Sequence, residues 1–398
     1  MAMSTKEMEA TVADLGDARR SDQTEPPSAS SRNAGIDALR ASLTLLVVFH
    51  HAAVTYGAMG SWFYQEIKPS HAPSSLILTL FAAYNQAFFM GLFFLIAGSL
   101  TPGAIARHGA AGFLRERLIR LGAPLLFFIL VLGPFTVALA QTADGHPFFS
   151  TLAGLARRSA IIFGPMWFVW ALLIFSTAYV ALRVSIGAER IERPRPFPSN
   201  AVLAAFALVT GAAAFLLRLR WPTGAEAIGL QIGYFASYVV LFAAGCLGAK
   251  GRWLESVPAN QLVVWRRISI IAAVALPAVL IAVLSLPGPT GPPNGGWNVL
   301  AVFYAFWEPF FAWGVILALL VFFQRHFAAL GPLWRKLARR AYLIYIIHPP
   351  ILVGVALAMQ SFAAPALLKF ALAGAAASAL CYVAAGALLR SPTVSRVV

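Results

Sequence analysis

The sequence predicts an all-α polytopic membrane bundle of about ten transmembrane helices with both termini in the cytoplasm. Three observations predict it. Hydrophobic residues make up 60% of the 398 and charged residues only 11%, against roughly half and a quarter in a soluble domain, and mean hydropathy is +0.76. Apolar runs of about 20 residues, the length that crosses a bilayer core of about 30 Å, recur from Gly35 onward with Pro, Gly or charge clusters in the gaps. Lys and Arg collect in alternate gaps. The short alternating period of a membrane β-barrel is absent.

The first 34 residues differ in kind. Glu7, Glu9, Asp14, Asp17, Asp22 and Glu25 alternate with Ser, Thr and Ala before Pro26-Pro27, which predicts a disordered cytoplasmic tail over 1–34. It lacks the basic start, apolar core and cleavage site of a signal peptide, so the first span is expected to act as its own insertion signal. The apolar runs cover about 37–57, 76–100, 122–141, 161–183, 200–218, 229–249, 268–287, 298–323, 341–360 and 366–389. They form one membrane domain over 35–390, followed by a short cytoplasmic C-terminus at 391–398. Cys246 and Cys381 each lie inside an apolar run with no second Cys nearby, as inert packing thiols do.

Orientation follows from the basic residues. With the tail inside, the even-numbered connections are also inside, and that side gathers 24 of the 30 Lys and Arg. The other side keeps only Lys68, Arg157, Arg158, Arg218, Arg220 and Lys369. This four-to-one bias obeys the positive-inside rule, and an odd number of spans would destroy it. The net charge of +15 is therefore a topology signal rather than a nucleic-acid stripe, and no nucleic-acid partner is expected. The partner implied by composition is the lipid bilayer.

Ionisable groups inside apolar helices cost about 2.5–3.5 kcal/mol each on insertion scales, so they mark function. The first span carries Asp37 and Arg40, nine uncharged residues, then His50-His51. Arg40 and His51 are eleven positions apart. At about 100° per residue they differ by about 20° around the axis and lie about 16 Å apart along it. They share a stripe, from which His50 is turned by about 80°. Asp37 is one turn before Arg40 and close enough to pair with it. A neutral imidazole at depth suits general-base chemistry, because its reference pKa lies near working pH. The plainer alternatives are an interfacial Arg that fixes topology and a core His bonded to a neighbouring helix.

Asp37-Ala38-Leu39-Arg40, followed by ten residues and His51, resembles the opening motif of the acyltransferase 3 family of integral membrane enzymes. Phe88 to Gly98 resembles the family's second-span Phe-Phe…Gly signature. Phe113-Leu114-Arg115-Glu116-Arg117-Leu118-Ile119-Arg120 with Pro124 resembles its basic cytoplasmic helix, and Tyr342 to Pro350 resembles its penultimate span. The likeness runs from Gly35 to Arg390. One departure stands out: many O-acetylating members carry Glu five residues after a mid-chain Trp, whereas Trp167 is followed by Leu172. The Trp167-Phe168 form looks more like the glucan-modifying branch, some members of which transfer succinyl groups to periplasmic glucans. Glu308, in Phe306-Trp307-Glu308-Pro309-Phe310, is the candidate to replace the missing acid in space; the alternative is a polar group near the outer mouth of span eight.

The resemblance implies transfer of an acetyl or succinyl group from cytosolic acyl-CoA, as co-substrate, to a hydroxyl of a carbohydrate or glycan, in the bacterial inner membrane. His51 is then the expected base, with Arg40 beside it in the catalytic set. Arg40, Arg115, Arg117 and Arg120 are expected to hold the phosphates of CoA, which guanidinium forks suit. Direct transfer and a resting acyl-imidazole both remain open. His348 is expected to be structural, because Pro349-Pro350 already mark a special backbone there. Gly91 and Gly98 are expected to let the first two spans approach. Isolated His71 and His146 lack metal-ligand spacing, no phosphate loop or serine elbow is present, and no metal is expected. The rival function is a polytopic transporter or flippase for a glycan or lipid-linked precursor, in which Arg40 and His51 bind cargo; a third is a non-catalytic scaffold.

Overall fold

The computed structural model describes residues 33–187, 192–285 and 291–397. The expected tail lies almost wholly outside the described residues, as do Arg190 and part of the Pro-rich connection after residue 285. Among the described residues the architecture is helical, with only isolated bridges between Tyr56 and Ile67 and between Ala227 and Leu230.

The helices are α1 (Ala34–Thr55), α2 (Pro73–Arg117), α3 (Ala123–Phe127), α4 (Gly133–Gln141), α5 (Phe148–Arg157), α6 (Trp167–Ile186) and α7 (Asn200–Arg220). They continue with α8 (Phe235–Gly248), α9 (Ala259–Leu284), α10 (Val299–His326), α11 (Pro332–Ala358), α12 (Ala366–Leu388) and α13 (Pro392–Val397). Eight helical stretches among the described residues are long and apolar enough to cross a membrane. Two of the ten expected runs fall in one of these, the stretch Pro73–Asp144 of 72 residues. Straight, it would be about 108 Å long, over three times the bilayer core. Gly109, at φ 68 and ψ 169, breaks it, in a conformation glycine adopts readily. The sixth run is the shorter helix Ile232–Gly248.

Helix starts are written locally. The side chains of Asn33, Ser199 and Asn298 accept from the N–H of Ile36, Val202 and Ala301, at 3.1, 3.4 and 2.8 Å, satisfying amides that a first turn leaves free. α9 and α11 begin nine residues earlier than their apolar runs, at Ala259 and Pro332. The added turns carry Arg266 and Arg267, and Arg335, Lys336, Arg339 and Arg340, which sequence hydropathy assigns to connections although their backbone stays helical.

Prolines inside helices recur in one pattern. Each lacks the N–H that the carbonyl four residues earlier would receive in an α-helix. Three of those carbonyls are taken by side chains instead. Pro277 leaves the Ala273 oxygen, to which Tyr84 of α2 donates at 2.5 Å; Pro124 leaves that of Arg120, to which Tyr342 of α11 donates at 3.1 Å. Pro349 leaves that of Tyr345, and His348 Nδ1 lies 2.6 Å from it. Imino acids thus create acceptors inside an apolar bundle where free carbonyls must find partners.

Gly91 and Gly98 do not join the first two spans as expected. A Cβ on Gly91 would collide with Leu241, and one on Gly98 with the backbone carbonyl of Phe242, both on α8. Gly245 of α8 meets the backbone of Leu95 and Ser99 in return. The glycines therefore seat α2 directly on α8, backbone against backbone, as small residues do between membrane helices. Gly98→Leu is expected to destabilise the protein by about 1–3 kcal/mol through overpacking, seen as a lower melting temperature in detergent.

Candidate functional site

α1 and α11 run side by side, and each carries one histidine at a similar height. His51 is 17 residues from the start of its helix and His348 is 16 from the start of its own. His348 is fully buried and His51 half-buried. Their rings stand 5.1 Å apart and nearly parallel, with His51 Nδ1 3.1 Å from His348 Nε2. The proton positions follow from the neighbours. A carbonyl can only accept, so the Tyr345 oxygen requires the His348 proton on Nδ1. In the neutral ring Nε2 then carries a lone pair. His51 donates to it from Nδ1 and keeps its own lone pair on Nε2, the arrangement of a proton acceptor.

The segment 57–72 between α1 and α2 lies over the same end of α1. Trp62 from this strap stacks on His51, ring centres 3.8 Å apart at 18°, and lies 5.8 Å from His348. The strap is fastened along its length. Ile67 N–H donates to the Thr55 carbonyl at 3.2 Å, Ser75 to Gly57 at 2.5 Å, Ser70 N–H to Ser75 Oγ at 2.9 Å and Gln360, just past the end of α11, to Tyr64 Oη at 2.7 Å. Its deepest fastener is an ion pair between Glu66 and Lys369 of α12, which are 13% and 6% exposed. Lys369 also donates to the Met359 carbonyl at 3.0 Å. Lys369, counted with the outer-side basic residues near the start of the tenth run, is held by a buried carboxylate, and only the fold brings position 66 to position 369.

At the opposite end of α1, Arg40 is 46% exposed and pairs with Asp37 at 3.5 Å. The fold brings Arg117 and Arg120 to this end. Arg117 lies within electrostatic reach of both Arg40 and Arg120 and over the Phe113 ring at 5.0 Å. Arg120 pairs with Glu116 at 3.3 Å, and Tyr342 ties its carbonyl to α11. Arg115 is exposed. Arg40 and His51 thus lie at two levels of α1, as their spacing along the helix requires, and the fold adds Arg117 and Arg120 at the level of Arg40.

Glu308 is at neither level's hydrogen-bonded centre. Its carboxylate is buried and accepts from the guanidinium of Arg218, whose side chain is 1% exposed. Arg218 also donates from Nε to the Gly233 carbonyl at 3.0 Å and packs over the rings of Tyr234 and Tyr304 at 5.3 and 5.6 Å. Arg218, counted with the outer-side basic residues at the end of the fifth run, is buried as well: α7 extends to Arg220 and packs Arg218 against α10. Buried charge needs a partner, and Arg218 supplies one for Glu308. No hydrogen bond among the described residues joins Glu308 to His51.

Sequence reasoning passed over His348 as a partner of His51, and Trp62 altogether. A signal for the first was present. A His directly before a Pro in an apolar helix stands beside the carbonyl that the Pro cannot engage, which orients the ring. Trp62 had no such signal, because it sits in a connection and reaches His51 only through the strap's tertiary fasteners.

Glucans biosynthesis protein C of Salmonella heidelberg (strain SL476) and of Salmonella typhi are each 28% identical to the chain over 183 residues. The protein of that name from Salmonella paratyphi B (strain ATCC BAA-1250 / SPB7) is 27% identical over the same length. These alignments cover 44% of this chain, and the chain spans only 44% of the length of the curated relatives it matches. No solved structure matches. The acyltransferase domain of the acyltransferase 3 family matches residues 33–386, from the cap of α1 through nearly all of α12, and the chain, a multi-pass membrane protein, belongs to that family.

Proposed function

We propose that the protein transfers an acyl group, acetyl or succinyl, from acyl-CoA to a hydroxyl of a carbohydrate or glycan, with His51 as general base. The observation that carries this is the hydrogen bond between His51 and His348, which leaves a lone pair on His51 Nε2. Family membership supports acyl transfer over the transporter reading. The name of the Salmonella relatives supports a glucan as acceptor.

In this reading the Arg40 end of α1 faces the cytoplasm and both termini lie inside, as the bias in Lys and Arg supports, and the membrane is the bacterial inner membrane. Arg40, Arg117 and Arg120, with exposed Arg115, receive the phosphates of CoA, and the pantetheine arm reaches up along α1 toward His51. The acceptor approaches from the strap end. Its hydroxyl gives its proton to His51 Nε2 as its oxygen bonds to the thioester carbon. The carbon–sulfur bond then breaks, and the departing thiolate takes the proton from His51, so the histidine ends as it began. His348 is a positioning residue: it holds the ring of His51 with Nε2 free.

Purified protein incubated with radiolabelled acetyl-CoA or succinyl-CoA and a glucan oligosaccharide is expected to label the glucan. Movement of glucan across vesicle membranes with no label incorporated would support the transporter instead. His348→Ala is expected to lower kcat with little change in KM for acyl-CoA. His348→Gln, which keeps an oxygen acceptor for His51 Nδ1, is expected to recover part of the loss; a purely packing role would not separate the two variants in this way.

A further inference from the structure

The indole Nε1 of Trp62 is sealed from solvent and has no hydrogen-bond partner. An unpaired buried donor of this kind costs about 1–3 kcal/mol. This one stands beside the reactive histidine, since the Trp62 and His51 rings are 3.8 Å apart. It is also held there. The strap that carries Trp62 is fixed by the Glu66–Lys369 pair, by Gln360 on Tyr64 and by the backbone bond from Ile67 to Thr55. Packing alone does not account for the N–H, because a phenylalanine ring would stack on His51 without leaving a donor unpaired.

The reaction supplies a partner. When the acceptor oxygen bonds to the thioester carbon, the carbonyl π electrons move onto the carbonyl oxygen, which becomes an oxyanion until the carbon–sulfur bond breaks. A fixed N–H aimed at that oxygen lowers the barrier, because the charge it meets develops only in the transition state. The reacting carbon has to lie close to His51 Nε2, within reach of a ring stacked on His51. We propose that Trp62 is a catalytic residue that donates its indole N–H to the carbonyl oxygen of the acyl group during transfer. This assignment rests on the acyl-CoA reading above. It also gives the strap a chemical purpose, with Glu66 and Lys369 as positioning residues that keep the indole over the imidazole.

The test separates the N–H from the ring. Trp62→Phe keeps an aromatic face and removes the donor. Replacement of Trp62 by β-(3-benzothienyl)alanine keeps the shape of the indole and puts sulfur in place of N–H. Each purified variant is assayed for transfer, for melting temperature in detergent, and for binding of two unreactive CoA derivatives. One is a ketone, S-(2-oxopropyl)-CoA, which retains a carbonyl; the other is S-propyl-CoA, which has none. Loss of one oxyanion donor costs typically about 10²–10³-fold in kcat. A fall in kcat approaching that size is expected for both variants, with weaker binding of the ketone and unchanged binding of the propyl derivative. Turnover at the wild-type rate in the benzothienyl protein overturns the proposal. So does an equal loss of affinity for both derivatives, which would assign Trp62 to packing. If the wild-type protein binds neither derivative, the acyl-CoA reading falls and takes this one with it; if it binds both and the variants do not discriminate, only the role of Trp62 falls.

Discussion

His51→Ala is expected to depress kcat for acyl transfer by about 10²–10⁴-fold, the span that general-base assistance typically contributes, while acyl-CoA still binds. The division follows from geometry. The phosphates of CoA are assigned to the Arg40 end, about 16 Å below His51 along the helix, so removal of the imidazole leaves that end untouched. KM for acyl-CoA should change little, the sign of an interaction made mainly in the transition state. The checks are single-turnover transfer with labelled acyl-CoA and equilibrium binding of an unreactive CoA thioether. Full transfer by a folded His51→Ala protein would remove the histidine from the reaction.

The second large effect concerns stability. Removing either partner of the Arg218–Glu308 pair leaves one charge buried without compensation, because the two side chains are 1% and 4% exposed. Such losses cost about 3–5 kcal/mol. Glu308→Ala and Arg218→Ala should therefore lower the melting temperature sharply and reduce the yield of folded protein. Replacing both charges with apolar residues, Arg218→Met with Glu308→Leu, should restore much of the stability, since no charge is then stranded. The double variant also decides what Glu308 does. If it folds and still transfers acyl groups, the carboxylate is an anchor between α7 and α10; if it folds and is inert, the carboxylate takes part in the reaction.

Much of the fold was legible because membrane helices are specified by composition over a long window. Nine of the ten runs meet a helix at nearly the expected place even where the ends differ, and the third meets the chain of short helical segments that includes α3 and α4. The ends were missed where charged turns at Arg266 and Arg335 continue a helix beyond its apolar part. The stripe from Arg40 to His51 was legible for a similar reason, since helical periodicity is local. What the sequence hides is pairing between segments far apart in the chain. Lys369 and Arg218 read only as outer-side basic residues at the ends of apolar runs, yet each is buried against a carboxylate about 300 or 90 positions away. Hydropathy treats a cation with a partner and one without alike. Gly91 and Gly98 announced close packing but not against which helix, and Trp62 carried no local sign at all.

The prolines have one further implication for reading relatives of this chain. Residue 349 has no ionisable group and touches no proposed reactant, but the amide hydrogen it lacks leaves the Tyr345 oxygen to the imidazole of residue 348, and that imidazole in turn dictates which nitrogen of residue 51 is bare. An alanine there would return a competitor for the same oxygen and loosen the whole sequence of donors and acceptors behind it. The orientation of the residue 51 imidazole is thus inherited, two steps removed, from a ring that can hold no hydrogen on its nitrogen.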